Sequence, residues 1–293
     1  MREAIQLNQA PKVRTTLLPS GRSMPVLGQG TWRMGEDRAR RKAEVAALRL
    51  GLDLGMNHID TAEMYAEGGA EEVVAEAIAE RRAEVFVVTK VYPQNATRHG
   101  AVEACERSLR RLKTDYIDLY LLHWRGDIPL SQTFEAFQSL KESGKIREYG
   151  VSNFDVADME ESFAETGDEI ANNQVLYNLA HRGIEWDLIR WCRARRIPIT
   201  AYSPIGHNAD EQKQILGNRA VKAVALRHGV TPVQVVLAWL LREPDVIVIP
   251  KAVRPEHIRE NRAAHDLKLT ERDFKELDQA FPPPTRKIPL ETS

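Results

Sequence analysis

The chain lacks most of the features that would take it out of the ordinary globular class. Cysteine is nearly absent: Cys105 and Cys192 stand alone in 293 residues, far apart and inside helical patterns. That excludes a disulfide framework and a paired-cysteine zinc or redox motif, and it fits a reduced compartment. No apolar run reaches the ~18 residues of a membrane span, and Met1–Leu18 lacks the apolar core of a secretory leader. Neither sign of charge is in excess, since 41 Lys and Arg face 42 Asp and Glu for a formal net charge of -1. A nucleic-acid or anionic-membrane surface is therefore not expected. There is no low-complexity tract and no Pro/Gly/Ser-rich linker between halves. These absences predict one soluble, cytoplasmic domain spanning residues 1–293.

What is present is alternation. Short runs rich in β-branched residues are separated by longer segments with helical periodicity, such as Val45, Leu48, Leu52 and then Val73, Val74, Ala77, Ile78. Eight strands are predicted: 28–32, 58–61, 85–91, 116–123, 147–152, 173–177, 199–202 and 246–250. Several are continuously apolar, as strands covered on both faces should be. Eight βα units predict an α/β fold of the (β/α)8 TIM-barrel class. Turn residues between two short apolar pieces in 16–26 predict an N-terminal β-hairpin that closes one end. Extra C-terminal helices are predicted past Ala220, after Thr231-Pro232, and over 271–280, where Thr270 and Thr231 supply N-caps. The tail from Thr285 to Ser293 is expected to run over the surface.

In a parallel barrel the chemistry lies at the C-terminal strand ends. The second strand ends His58-Ile59-Asp60-Thr61, with Tyr65 in the turn beyond; the third ends Thr89-Lys90 and the fourth His123-Trp124. Singly, Asp60 reads as a helix cap, Lys90 as a solvated lysine, His123 as a hydrogen-bonded mouth residue and Tyr65 as a packed aromatic. Together they form a tool for carbonyl reduction, which needs a proton donor for the oxygen that becomes negative as hydride arrives. Tyrosine, with an ordinary pKa of about 10, can be that acid; a nearby ammonium is expected to lower its pKa, with a carboxylate holding the lysine charged. An imidazole can orient the carbonyl.

The run from Gly55 to Tyr65, with Asp60 five positions before Tyr65, resembles the signature of the aldo-keto reductase family. Lys90 and the His123-Trp124 pair match that family's two remaining catalytic positions. The resemblance implies Tyr65 as general acid, Lys90 tuning it, Asp60 pairing with Lys90, and His123 positioning the carbonyl. Trp32 and Trp124 resemble the aromatic walls of the family's substrate pocket, although either also reads as mouth packing.

No strand is followed by Gly-x-Gly-x-x-Gly, and Gly28-Gln29-Gly30 lacks the third glycine, so a Rossmann site is not expected. The family resemblance instead implies NADPH, with NADH use possible. It places Ser152, Asn153 and Gln174 near the nicotinamide carboxamide, Tyr202 against the ring, and the backbone of Ser203, Pro204, Ile205 and Gly206 at the pyrophosphate. Residues Lys251, Ala252, Val253, Arg254, His257, Glu260 and Asn261 match the adenosine 2′-phosphate and adenine region, at a helix N-terminus suited to an anion. Ala252 departs from the phosphate-binding Ser of many members and His257 from their Arg; Arg254, where a small polar residue is common, is expected to substitute.

Local likeness in 281–290 is to a bacterial branch that includes enzymes reducing methylglyoxal and other aldehydes, so a small carbonyl substrate, an open pocket and a monomer or weak oligomer are expected. Three other readings compete. His58, Asp60 and His123 suggest a metal-dependent barrel hydrolase, although no His-x-His occurs and no metal is expected. Lys90 or Lys251 suggests a Schiff-base aldolase. A barrel that binds NADPH for regulation without turnover is the third.

Overall fold

The structure is a computed structural model that describes residues 12–167 and 169–292. Met1–Pro11, most of the stretch read for a leader, lies outside the described residues, as do Asp168 and Ser293.

Two short strands open the fold, β1 (Thr15–Leu17) and β2 (Ser23–Pro25), paired antiparallel as the turn residues between them require. Eight parallel strands follow, each adjacent to its sequence neighbour: β3 (Gln29–Gly30), β4 (His58–Asp60), β5 (Phe86–Val91), β6 (Ile117–Leu122), β7 (Ile146–Ser152), β8 (Asn173–Leu176), β9 (Ile199–Tyr202) and β10 (Val246–Val248). Leu27 bridges Val248 in parallel, and the Gly28 and Val248 N–H groups donate to Val248 O and Val26 O at 2.8 Å each. Those bonds close the sheet into a barrel and remove its edges. The expected (β/α)8 architecture is therefore present.

A helix follows each early strand: α1 (Arg41–Asp53), α2 (Gly69–Ile78), α3 (Arg98–Leu112), α4 (Leu130–Glu142), α5 (Val156–Thr166) and α6 (Leu188–Ala194). Three more, α7 (Ala209–Gly217), α8 (Arg219–His228) and α9 (Pro232–Leu241), separate β9 from β10, and α10 (Pro255–Ala264) and α11 (Glu271–Ala280) complete the chain. Their starts follow local chemistry. Asp155, Thr231 and Thr270 each accept a backbone N–H from three residues on while that residue's side chain returns the bond, forming capping boxes. Helix α9 is buried continuously from Val235 to Leu241 because it packs between the barrel strand β10 and helices α7, α8 and α10. Among the described residues no single helix is long and apolar enough to cross a membrane.

Period-two alternation sends one set of strand residues inward. Phe86, Val88, Leu119, Leu121 and Ile247 form an interior cluster with Leu18 and Met24 from the hairpin region, so β1 and β2 close the N-terminal end of the barrel. Arg22, between them, reaches Asp118 at 3.4 Å and Glu148 at 3.8 Å on the barrel floor. The opposite end stays open, and it carries the site.

Candidate active site

The same alternation delivers the site residues. On β5, Phe86 and Val88 point inward, so Lys90 continues that line one layer higher; on β6, Leu119 and Leu121 are followed by His123. His58 and Asp60 do likewise on β4. Lys90 is fully buried and Asp60 nearly so, at 0% and 2% exposure. Buried charges are stable only when paired and hydrogen-bonded. Lys90 Nζ lies 2.6 Å from Asp60 Oδ1 and donates to Thr61 O at 2.8 Å, while Asp60 Oδ2 accepts from Gln174 Nε2 at 2.8 Å.

Tyr65 comes from the turn after β4, which Ala66 and Glu67 bend by adopting left-handed backbone (φ 51° and 53°). Lys90 Nζ lies 5.2 Å from the centre of the Tyr65 ring, whose faces and edges meet Trp32 at 5.0 Å and His123 at 5.8 Å between ring centres. The four expected catalytic residues thus converge at one point. Asp60, Tyr65 and His123 line a cavity of about 410 Å³ together with Trp32 and Trp124, and Lys90 lies behind that wall. Both tryptophans are exposed at the mouth, at 50% and 37%.

One expectation fails. Lys90 was expected to pull the Tyr65 pKa down, yet burial, followed by the Asp60 carboxylate, holds the phenol well above its usual value. The ammonium is spent on Asp60 and Thr61, and burial lowers the Lys90 pKa as well. His123 is pushed well below the ordinary imidazole range by burial and then by Lys90, so its ring is neutral. The buried Nδ1 of His123 has no hydrogen-bond partner among the described residues.

The residues expected around a nicotinamide form one linked wall. Ser152 Oγ donates to Gln174 O at 2.8 Å; Asn153 Nδ2 donates to His123 O at 3.3 Å; and Tyr202 OH donates to Asn153 Oδ1 at 2.8 Å. Gln174 turns its amide nitrogen to Asp60, so that group is already engaged. Ser203, Pro204, Ile205, Gly206 and Lys251 also line the cavity. Ser203 and Gly206 both have positive φ, 47° and 112°, and a Cβ on Gly206 would come within 2.8 Å of Gln212 N.

Ala252, Val253, Arg254, His257, Glu260 and Asn261 are not part of the cavity lining; they continue from Lys251 into α10. Pro255 stands in the first turn of α10 and no side chain caps its N-terminus, which leaves backbone donors facing outward. Arg254 is not free there: its Nε lies 2.9 Å from Glu256 Oε1, and its guanidinium also meets His257. Asn261 is buried at 5% exposure, whereas Lys251 and Arg254 are exposed.

Several lining residues were not anticipated: Gly30, Thr31, Met64, His207, Gln212, Ile249 and Pro250. For Gly30, Thr31 and Ile249-Pro250 a signal existed, since they end or directly follow the first and last barrel strands. Thr31 Oγ1 donates to Asp60 O at 2.9 Å, which makes it a support of the buried pair. His207 and Gln212 arrive with α7, whose Asn208 cap and first-turn Asp210 and Glu211 are a weak start signal in a polar stretch. Among the described residues no three His, Cys, Asp or Glu side chains converge as a metal site would need.

Comparison with known proteins adds to this geometry. Residues 26–281 match the aldo/keto reductase family. The chain belongs to the aldo/keto reductase family. Among its relatives, the methylglyoxal reductase YeaE of Escherichia coli is 48% identical over 92% of this chain and 95% of its own. The glyoxal reductase of Bacillus subtilis is 33% identical over 90% of this chain and 91% of its own. The crystal structure of an aldo-keto reductase from Klebsiella pneumoniae in complex with NADPH superposes with a TM-score of 0.93 at 47% identity, covering 97% of this chain and all (100%) of that one. In this aldo/keto reductase the four residues expected to be catalytic, Asp60, Tyr65, Lys90 and His123, stand together at one barrel mouth.

Proposed function

We propose that this protein is a one-domain, NADPH-dependent oxidoreductase that reduces small aldehydes and ketones, methylglyoxal-like dicarbonyls among them, with Tyr65 as general acid. The observation that carries the reading is the placement of Tyr65 and His123 at the cavity wall over the fully buried Lys90–Asp60 pair. The NADPH-bound Klebsiella structure and the methylglyoxal and glyoxal reductases among the relatives support it.

The residues present fit a dinucleotide. Ser152 and Asn153 offer hydroxyl and amide groups, Tyr202 an aromatic face, and the Ser203–Gly206 turn, closed by the Gly206 N–H donating to Ser203 O at 3.0 Å, a stretch of backbone along the cavity. Lys251, Arg254 and the uncapped start of α10 suit a phosphate. When bound there, the reduced nicotinamide supplies hydride. Because Glu256 partly neutralises Arg254, NADH is expected to be accepted more weakly rather than refused.

The protein's own part is to bind the carbonyl, orient it and deliver a proton. The Tyr65 phenol stays protonated through neutral pH because burial and Asp60 disfavour its anion, so the acid is always loaded. Its proton leaves only when negative charge develops on the carbonyl oxygen beside it. Neutral His123 can donate one hydrogen bond to that oxygen, and general-acid catalysis of this kind contributes roughly 10²–10⁴-fold. Trp32 and Trp124 flank the opening without closing it. The test is loss of NADPH absorbance on mixing purified protein with methylglyoxal and a panel of simple aldehydes. Consumption that depends on the carbonyl is expected; no consumption with any of them would overturn the proposal.

A further inference from the structure

The proposed chemistry leaves one polar cluster unused, formed by His181, Glu211 and Glu291 behind the loop that joins β9 to α7. His181 lies between β8 and α6, Glu211 in the first turn of α7, and Glu291 in the C-terminal tail. Both ring nitrogens of His181 meet carboxylates from different segments: Nε2 is 3.0 Å from Glu211 Oε1 and Nδ1 is 2.8 Å from Glu291 Oε1.

Glu211 in turn holds the loop. Its Oε2 accepts the His207 N–H at 2.9 Å, and its Oε1 accepts from Asn178 Nδ2 at 3.2 Å, which also donates to Ser203 O at 3.0 Å. Asn178 is fully buried, and its Oδ1 accepts the N–H groups of Ala180 and His181 at 2.8 and 3.0 Å. The two ends of the loop, Ser203 and His207, are therefore tied to one carboxylate–amide pair, and the cavity-lining Pro204, Ile205 and Gly206 lie between them. A serine at φ 47° is strained, and such backbone persists only where its surroundings over-determine it.

The tail that supplies Glu291 is itself seated. Lys287 Nζ is 3.0 Å from Asp187 Oδ2, and Ile288 lies so close to Gly183 that a Cβ there would come within 2.8 Å of its Cδ1. We propose that Glu291 is a positioning residue that acts through His181 and Glu211, so that the docked tail holds the Ser203–His207 loop in the form that accepts the cofactor pyrophosphate. This inference rests on the NADPH reading above.

The test measures NADPH binding by fluorescence for the parent, Glu291→Gln, His181→Ala and the double variant. A hydrogen bond to a charged group at a part-exposed site predicts that Glu291→Gln weakens NADPH binding by about three- to tenfold. The Glu291→Gln effect should vanish in the His181→Ala background. The KM for NADPH should rise while kcat at saturating cofactor holds, a split that a general loss of packing does not produce. Parent-like affinity in Glu291→Gln would overturn the inference, as would an equal Glu291→Gln effect with and without His181. A parent that fails to bind NADPH would instead overturn the functional reading beneath it. Glu291 is 37% exposed, so its variant is expected to fold, and coincident melting curves check this.

Discussion

Replacing Asp60 by Asn probes the energetics on which the site depends. In the parent, opposite charges stand 2.6 Å apart with essentially no solvent exposure on either side chain. At an effective dielectric of about 20 their gross attraction is on the order of 6 kcal/mol, most of it offset by desolvation. Removing one partner leaves the other's desolvation unopposed, and such single removals cost about 3–5 kcal/mol. For a chain of this length that corresponds to a melting-temperature drop of about 5–8 °C. The sign of the pH dependence is also fixed. Burial already lowers the Lys90 pKa, and the largest opposing influence is Asp60. Without that carboxylate, Lys90 in the folded variant releases its proton at a lower pH than in the parent. The unfolded chain then holds more protons than the folded one, so the variant gains stability relative to the parent as pH rises toward the ordinary lysine value of about 10.4. Differential scanning calorimetry at a series of pH values reads both effects. A variant that melts with the parent near neutrality, or whose deficit widens on raising the pH, would refute the reasoning.

Other consequences can be checked as directly. Burial pushes the His58 pKa down to about 4, so the folded state resists its protonation; the stability present above the unfolded value of about 6.5 should be lost as pH falls through about 4, by up to about 3 kcal/mol, in urea titrations compared with His58→Gln. Glu256→Gln should release Arg254 and raise the ratio of NADPH to NADH affinity, whereas Arg254→Ala should lower it; equal changes for both cofactors in Arg254→Ala would remove that residue from the 2′-phosphate site. Because the phenol is held protonated and His123 neutral, kcat/KM for carbonyl reduction should show no titration between about pH 6 and about pH 9; a bell centred in that range would place a titrating group in the reaction.

The barrel was legible in the sequence because its signals are local and repeated. Apolar runs mark β5, β6 and β10, and cap residues such as Thr231 and Thr270 fix α9 and α11 where the pattern places them. Strand ends were less legible: Thr61, His123 and Ile249-Pro250 follow the strands, and Thr61, His123 and Pro250 each keep a single backbone bond to the neighbouring strand, so β4, β6 and β10 stop earlier than composition suggests. Helix α7 was missed because its short polar sequence depends on the Asn208 cap and the Glu211 contacts for definition.

For the site, residue type and strand-end position brought Asp60, Lys90 and His123 together in advance, and Tyr65 with them. Burial was the unread quantity. A sequence shows a lysine near a tyrosine, but not that Lys90 is engaged by Asp60 and Thr61, nor that burial, followed by Asp60, raises the Tyr65 pKa. The same holds for Arg254, whose partner Glu256 is two residues away yet unreadable as a competitor until the turn is seen. The His181 cluster joins segments more than a hundred residues apart, and no local pattern announces it.

The most direct measurement of the account is Tyr65→Phe assayed twice, once for NADPH binding by fluorescence and once for methylglyoxal reduction by absorbance. The variant is expected to bind NADPH within about twofold of the parent while kcat falls by at least about 100-fold. Reduction by Tyr65→Phe at the parent rate would contradict the assignment of Tyr65 as the acid.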